Sequence, residues 1–496
     1  MTMASNLTVS VENFGPVRAG QVTLKPFTIF IGPNNSGKSY IATLVYALTK
    51  ALAERSPSPL LWGLNWPLKP GALPELSADE QQQLLKWYAE QSAGKNHPEI
   101  ALGTLPDGLK TVIGDAVRHH AREMRKSIDE ALRDYFGAED TKSLIRGGDD
   151  DLLVIALNRT PTADPLLRYS VDSNKKMSRL RWTLPDIENL RIRVGRGEFP
   201  FVLPGAGSKS TGIAMRLLSM IVADTWSQIL AENGVLLSDS YYLPAARSGI
   251  LQGWQVFASM ALQMVRRRVG LERIEVPPVT GIAGDFLQVL WERLLSGSRR
   301  QNPPELKPAL EVLESRVFHG DVSLDRRSAE SPLIVYKSGS LRLPLQRVSS
   351  MIGELAPLEL WIKHLVRPGE LLIIDEPEAH LHPEGQRWIA RVLVRLVNAG
   401  VRVLCTTHSS LILHQVSNHL LASSTDAATR SANEFEEADI LDDVAVYLFD
   451  RREDGTHVNP VPMEAGFGIP EEEFLRVAES IGDETYRLTS QPEPVV

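Results

Sequence analysis

Residues 32–39 read GPNNSGKS, and residues 371–385 read LLIIDEPEAHLHPEG. The first stretch fits G-x-x-x-x-G-K-[ST], with an apolar run before it and a helical run after it. Gly32 and Gly37 let the backbone curl so that successive N–H groups face a phosphate, and the helix adds its positive end. Lys38 is then placed to reach the β and γ phosphates, and the Ser39 hydroxyl to ligate Mg2+. Pro33, Asn34, Asn35, Ser36 and Tyr40 complete the residues expected against the nucleotide. The second stretch is an apolar run ending in Asp375 and Glu376. Asp375 is expected to supply the other Mg2+ contact, directly or through water. Side chains alternate along a strand, so Glu376 is expected to point the other way and to orient or deprotonate the attacking water. A second apolar run, VRVLCTTHSSLIL at 401–413, puts His408 one step past its strand, where strand ends line the ligand crevice. A neutral histidine there can donate to the γ phosphate or hold the water. The chemistry these residues fit is hydrolysis of ATP with Mg2+, with Glu376, His408 and Lys38 as the catalytic set.

Strands and helices must bring these stretches together. Residues 7–31 read as an exposed strand followed by a buried one, and 36–54 as a helix of about five turns. Residues 77–136 are helical in pattern, with Ala116, His120, Met124, Ile128 and Leu132 returning every four residues. Residues 152–202 turn to short alternating segments that predict an antiparallel patch. From 349 to 420 the rhythm is helix, strand, helix, strand, helix. Strands alternating with helices at both ends, and mixed material between, predict one α/β nucleotide-binding domain assembled from the two ends of the chain.

The chain has 496 residues, 43% apolar and 23% charged, which is ordinary globular material. A net charge of −8 argues against a constitutive sleeve around nucleic acid, though not against a local basic groove. The densest positive runs are Arg266, Arg267 and Arg268, then Arg299 and Arg300. With Arg118, Arg122, Arg125 and Lys126 they could form a DNA-facing surface. A single cysteine, Cys405, excludes an internal disulfide and a cysteine-based zinc site. Neither a secretory signal nor an uninterrupted apolar run of membrane-spanning length is evident. A cytoplasmic protein without a membrane partner is expected.

These pieces in this order resemble the ABC-type ATPase heads of the SMC/Rad50 group, and more closely the overcoming-lysogenization-defect (OLD-like) family of AAA-annotated prokaryotic ATPases. GPNNSGKS matches the Walker A motif, LLIIDEPEAHLHPE the Walker B motif, and TTHSS the switch histidine. SYYLPAARSGI (240–250) and GIPEEEFLRVAESIG (468–482) also look like segments of OLD-like proteins. The resemblance implies a P-loop NTPase of ABC/SMC-head type with a large, mostly helical insertion and antiparallel β elements. The head would comprise 1–50 and 236–496, with a helical segment at 254–315. Residues 51–235 would be an insertion for partner docking or sensing. In that family two heads sandwich two ATP molecules, which implies a homodimer or higher homo-oligomer. Each site is completed by a signature loop in trans, here Ser349 and Ser350 in RVSSMIGELAPLELW. Met351 and Ile352 depart from the family pattern, which has small residues there. His382 falls in the loop that crosses the dimer seam. The stretch beyond residue 420 is too short for the Toprim nuclease domain that many members carry, so the nuclease or effector is expected to be a separate protein. Stand-alone ATPases of this kind are similar to those of anti-phage defence systems such as Septu, PARIS and retron-linked modules. Two other readings are an SMC-like ATPase of DNA repair or recombination, and a scaffold that binds ATP and rarely turns it over. The long heptad arms of SMC proteins are missing.

Overall fold

The computed structural model describes residues 7–54, 74–92, 99–147, 152–158, 160, 162, 164–174, 178–193, 210–235, 239–253, 281–290, 303–325, 333–463, 466, 468–470 and 472–489. Contacts gather the chain into two compact units, one formed by Leu24–Ala42 and Tyr241–Val496, the other by Met1–Thr23 and Thr43–Ser240.

In the first unit four parallel strands lie side by side in the order Ala445–Arg452, Phe27–Ile31, Arg402–Thr406 and Leu371–Asp375. Gly455–Pro460 runs antiparallel against the first of them, and Ser240–Leu243 flanks the last. The three strands from Phe27–Ile31 to Leu371–Asp375 are buried at every position. That is why they read as solid apolar runs: a parallel sheet is covered on both faces. The helix Pro383–Asn398 makes the crossover that joining two parallel strands requires. Its apolar face meets the helices Ser350–His364 and Ser410–Ala422 in one core with Ile29, Trp361, Ile374, Leu393, Val403 and Ile412. Phe286 stacks on Trp361 with ring centroids 5.3 Å apart. Register decides function here: Asp375 lies opposite Thr406, and Thr406 opposite Phe30, so the carboxyl ends of three strands stand in line.

The other unit holds an antiparallel sheet in the order Arg179–Trp182, Leu167–Asp172, Leu152–Asn158, Leu7–Phe14 and Val17–Leu24. The helices Ala78–Ser92, Asp107–Phe136 and Ser210–Glu232 pack on one another. The four-residue rhythm of Asp107–Phe136 is its buried face: Ala116, His120, Met124, Ile128 and Leu132 are all buried. Pairing of Leu7–Phe14 with Leu152–Asn158, Thr8 opposite Asn158, draws the first strands to this unit. The division therefore falls after Ala42, inside the helix Lys38–Glu54, and after Ser240, where the sequence suggested 50 and 235.

Among the described residues, Ile213–Glu232 is long and apolar enough to cross a membrane, and 56% of that stretch is buried. No run of consecutive apolar residues approaches that length, but the average hydropathy over this stretch is high enough. Asp224, Thr225, Ser227 and Gln228 interrupt this one without lowering its average enough. Arg266, Arg267, Arg268, Arg299 and Arg300 lie outside the described residues. On the helix Asp107–Phe136 the basic side chains meet their own helix: Arg118 pairs with Asp115 at 2.8 Å, Lys126 with Glu123 at 3.1 Å, and Arg125 with Asp129 at 3.7 Å.

Candidate functional site

The loop Gly32–Gly37 leaves the strand Phe27–Ile31 and enters the helix at Lys38. Gly32 has φ 135° and Gly37 φ 94°, conformations that L side chains rarely adopt. A Cβ on Gly32 would also stand 2.7 Å from the Phe449 carbonyl oxygen, so only glycine passes that point. Lys38 is 5% exposed. Its ammonium donates to the carbonyls of Gly32 and Pro33, both at 2.9 Å. Burial lowers its pKa to about 8, against the pull of Glu376, Glu378 and Asp375. The Ser36 hydroxyl is buried and has no hydrogen-bond partner, a polar atom inside the curl of the loop. Tyr40 is half-buried, which pushes its phenol up to about 12.

Asp375 closes its strand with a buried carboxylate. The Tyr242 hydroxyl donates to Oδ2 at 2.6 Å and the Thr406 hydroxyl to Oδ1 at 2.8 Å. Ser39 donates to the same carboxylate. Burial raises the Asp375 pKa and the three hydroxyls work against that rise, since hydrogen bonds favour the charged form. The Ser39 hydroxyl and the Asp375 carboxylate form an all-oxygen pair, the chemistry of a hard divalent cation. Among the described residues no cluster of three or more His, Cys, Asp or Glu could hold a metal. The residues fit Mg2+ that keeps water and phosphate oxygens for its other positions.

Glu376 is the point where the sequence argument needs correction. The strand ends at Asp375, and Glu376 has φ 46°, so alternation along a strand does not set its direction. A left-handed turn does. Its N–H donates to the Thr406 carbonyl at 3.0 Å, and its carboxylate oxygen lies 3.7 Å from Nε2 of His408. Both side chains remain partly open to solvent. The His408 ring is bonded to the Gly32 carbonyl, while burial and then the Lys38 charge lower its pKa, which favours the neutral ring. Glu378, unremarked in the sequence, holds the histidine's backbone: its Oε1 accepts from His408 N and the Thr407 hydroxyl, both at 2.7 Å. Its own pKa is raised by burial.

The remaining expected residues stand apart from this cluster. Ser349 is the N-cap of the helix Ser350–His364, accepting from Ile352 N at 3.4 Å, and both Ser349 and Ser350 are exposed. Ile352 is buried in the core, where a large apolar side chain is packed. His382 is exposed and caps Pro383–Asn398 through Nδ1. Cys405 is buried in its strand. Sequence reasoning missed Tyr242, Arg247, Glu354 and Glu378. The first two lie in SYYLPAARSGI, but nothing local showed that they face Asp375.

Glycine-rich loop, aligned strand ends and paired acids define an α/β P-loop NTPase fold. The family described as "AAA ATPase domain" matches residues 7–180, and the family described as "AAA domain, putative AbiEii toxin, Type IV TA system" matches residues 291–414. Both matching stretches are thus similar to AAA ATPase domains, and the site is of the kind that binds ATP and Mg2+. No curated protein matches it. Similar solved structures include an SMC head bound to the C-terminal winged-helix domain of ScpA, at 11% identity and TM-score 0.38, covering 92% of this chain and 98% of that one. An SMC head from Pyrococcus furiosus with an extended coiled coil, bound to the C-terminal domain of ScpA, has 11% identity and TM-score 0.36 over 96% and 98%. The SMC head domain from Thermotoga maritima has 10% identity and TM-score 0.31 over 92% and 99%.

Proposed function

We propose that this chain is an ATP-hydrolysing switch that works as the ATPase subunit of a defence system, with a separate nuclease or effector as its partner. The observation that carries the enzymatic part is the alignment of Lys38, Asp375, Glu376 and His408 at the ends of adjacent parallel strands. Lys38 and the loop amides bind the β and γ phosphates. Ser39 and Asp375 would hold Mg2+, which would offset phosphate charge. Glu376 orients a water and takes its proton as the water oxygen bonds to the γ phosphorus. The bond from that phosphorus to the β–γ bridging oxygen breaks, and ADP and phosphate leave. Neutral His408 steadies the water or the γ phosphate by hydrogen bonding. The defence role is supported by the similarity of residues 291–414 to the family of putative AbiEii toxins of type IV toxin–antitoxin systems. Two chains would close around two ATP molecules in the cytoplasm, each lending Ser349 and Ser350 to its partner's site, with residues 51–235 docking the effector.

The test is Glu376→Gln. Glutamine keeps the size but cannot take the proton, so phosphate release should fall by about 10² or more while ATP binding persists. Near-normal release would remove Glu376 from catalysis. A wild-type chain that binds ATP and releases no phosphate would turn the reading toward a scaffold.

A further inference from the structure

Arg247 is 1% exposed, and it spends its guanidinium on main-chain carbonyls. Nε donates to Glu354 O at 2.9 Å, and Nη1 to Pro244 O at 3.1 Å and Asp375 O at 2.8 Å. Nη2 reaches Glu376 O at 3.4 Å. The Glu354 carboxylate lies beside Nε at 3.4 Å and also accepts from Ser248 N at 3.2 Å and its hydroxyl at 2.6 Å. A buried cation is costly to leave unpaired, so this fork cannot easily turn elsewhere. Two non-glycine residues next to its contacts are left-handed, Ala246 at φ 55° and Glu376 at φ 46°. Such backbone persists only where the surroundings over-determine it. Around Glu376 they do: Thr406 accepts the N–H, and Arg247 takes the carbonyls of Asp375 and Glu376. Arg247 also ties that turn to the helix Ser350–His364 through Glu354.

We propose that Arg247 is a positioning residue for hydrolysis: it holds the Asp375–Glu376 turn so that the Glu376 carboxylate stands beside His408, and it touches neither nucleotide nor metal. The proposal rests on the hydrolytic reading above. Lysine cannot replace the fork, because an ammonium lacks the planar donors that serve several carbonyls at once.

The experiment uses the full chain as wild type, Arg247→Lys, Glu354→Gln, Glu376→Gln and the double variant of Arg247→Lys with Glu376→Gln. Single-turnover phosphate release and the Kd of a non-hydrolysable ATP analogue are measured on each. Misplacing the carboxylate should cut the hydrolysis rate in Arg247→Lys by about 10- to 100-fold. The analogue's Kd should stay within about twofold, because the Gly32–Gly37 loop and Lys38 are untouched. In the Glu376→Gln background Arg247→Lys should lower the residual rate no further, since residues acting through one group are not additive. Unchanged hydrolysis, a parallel loss of analogue binding, or additive losses would each overturn the proposal. Should Arg247→Lys fail to fold, Glu354→Gln carries the test, since it keeps the carbonyl that Arg247 uses and removes only the charge beside it. The same split between rate and Kd supports the proposal, and its absence, or failure of both variants to fold, overturns it. Wild type without hydrolysis would remove the parent reading too, whereas an active wild type with an insensitive Arg247→Lys removes this one alone.

Discussion

At the scale of residues, Lys38 ties nucleotide binding to pH. Its pKa of about 8 in the free chain means that raising pH strips the charge the phosphates need. Nucleotide affinity should therefore weaken by up to about tenfold per pH unit above 8, because binding then requires uptake of a proton. Its effect on folding has the opposite sign. A lysine whose folded pKa lies below its unfolded value is stabilised in its neutral form, so its contribution to stability rises between pH 8 and 10.5. Calorimetric titration of wild type and Lys38→Met from pH 7 to 9.5 checks the first statement. The variant should bind weakly and show a flat pH profile. The lysine itself was legible from GPNNSGKS, but its pKa was not, since burial and the acids from a distant stretch set it.

Elements explain why the loop tolerates no side chain at its first glycine. Gly32 follows a fully buried strand and passes the Phe449 carbonyl of the neighbouring strand, so a methyl group there would meet backbone 2.7 Å away. Backbone cannot swing aside as the end of a flexible side chain can. Gly32→Ala should cost about 1–3 kcal/mol from the strained φ alone, and nucleotide binding should fail because the loop can no longer curl. Urea unfolding beside an ATP titration measures both. Full stability with normal binding would show that the strand Ala445–Arg452 yields. The strand–loop–helix order was readable in the sequence. The neighbour that enforces it, Phe449, lies more than four hundred residues away in the chain, and no local pattern points to it.

At the scale of the whole molecule, the proposed assembly is testable by exchange between subunits. If Ser349 and Ser350 complete the partner's site, a chain carrying Lys38→Ala and one carrying Ser350→Arg should each be nearly inactive. Mixed together, they form some dimers with one intact site, built from Ser39, Asp375 and Glu376 of one chain and Ser350 of the other. Phosphate release should then recover to roughly a quarter of the wild-type rate, if half the dimers are mixed and the sites act independently. No recovery on mixing, with both variants folded, would place the whole site within one chain. Light scattering of Glu376→Gln with and without Mg-ATP gives the same assembly an independent reading.

The parts that are local in the chain were legible from the order of its residues: the phosphate loop, the helix after it, the buried strands and the acids at their end. Each depends on periodicity or on backbone freedom within a dozen residues, which the order of residue types encodes directly. Tertiary structure alone decided how those parts meet. Strand register put Thr406 opposite both Asp375 and Phe30. A left-handed turn, held by Thr406 and by Arg247 from a third stretch, aimed Glu376 in place of strand alternation. Glu378 and Tyr242 entered the site only once folding brought them to His408 and Asp375. Hydrogen bonds between residues 30 to 133 positions apart have no signature in either segment, because each donor is satisfied equally well by water until the chain buries it.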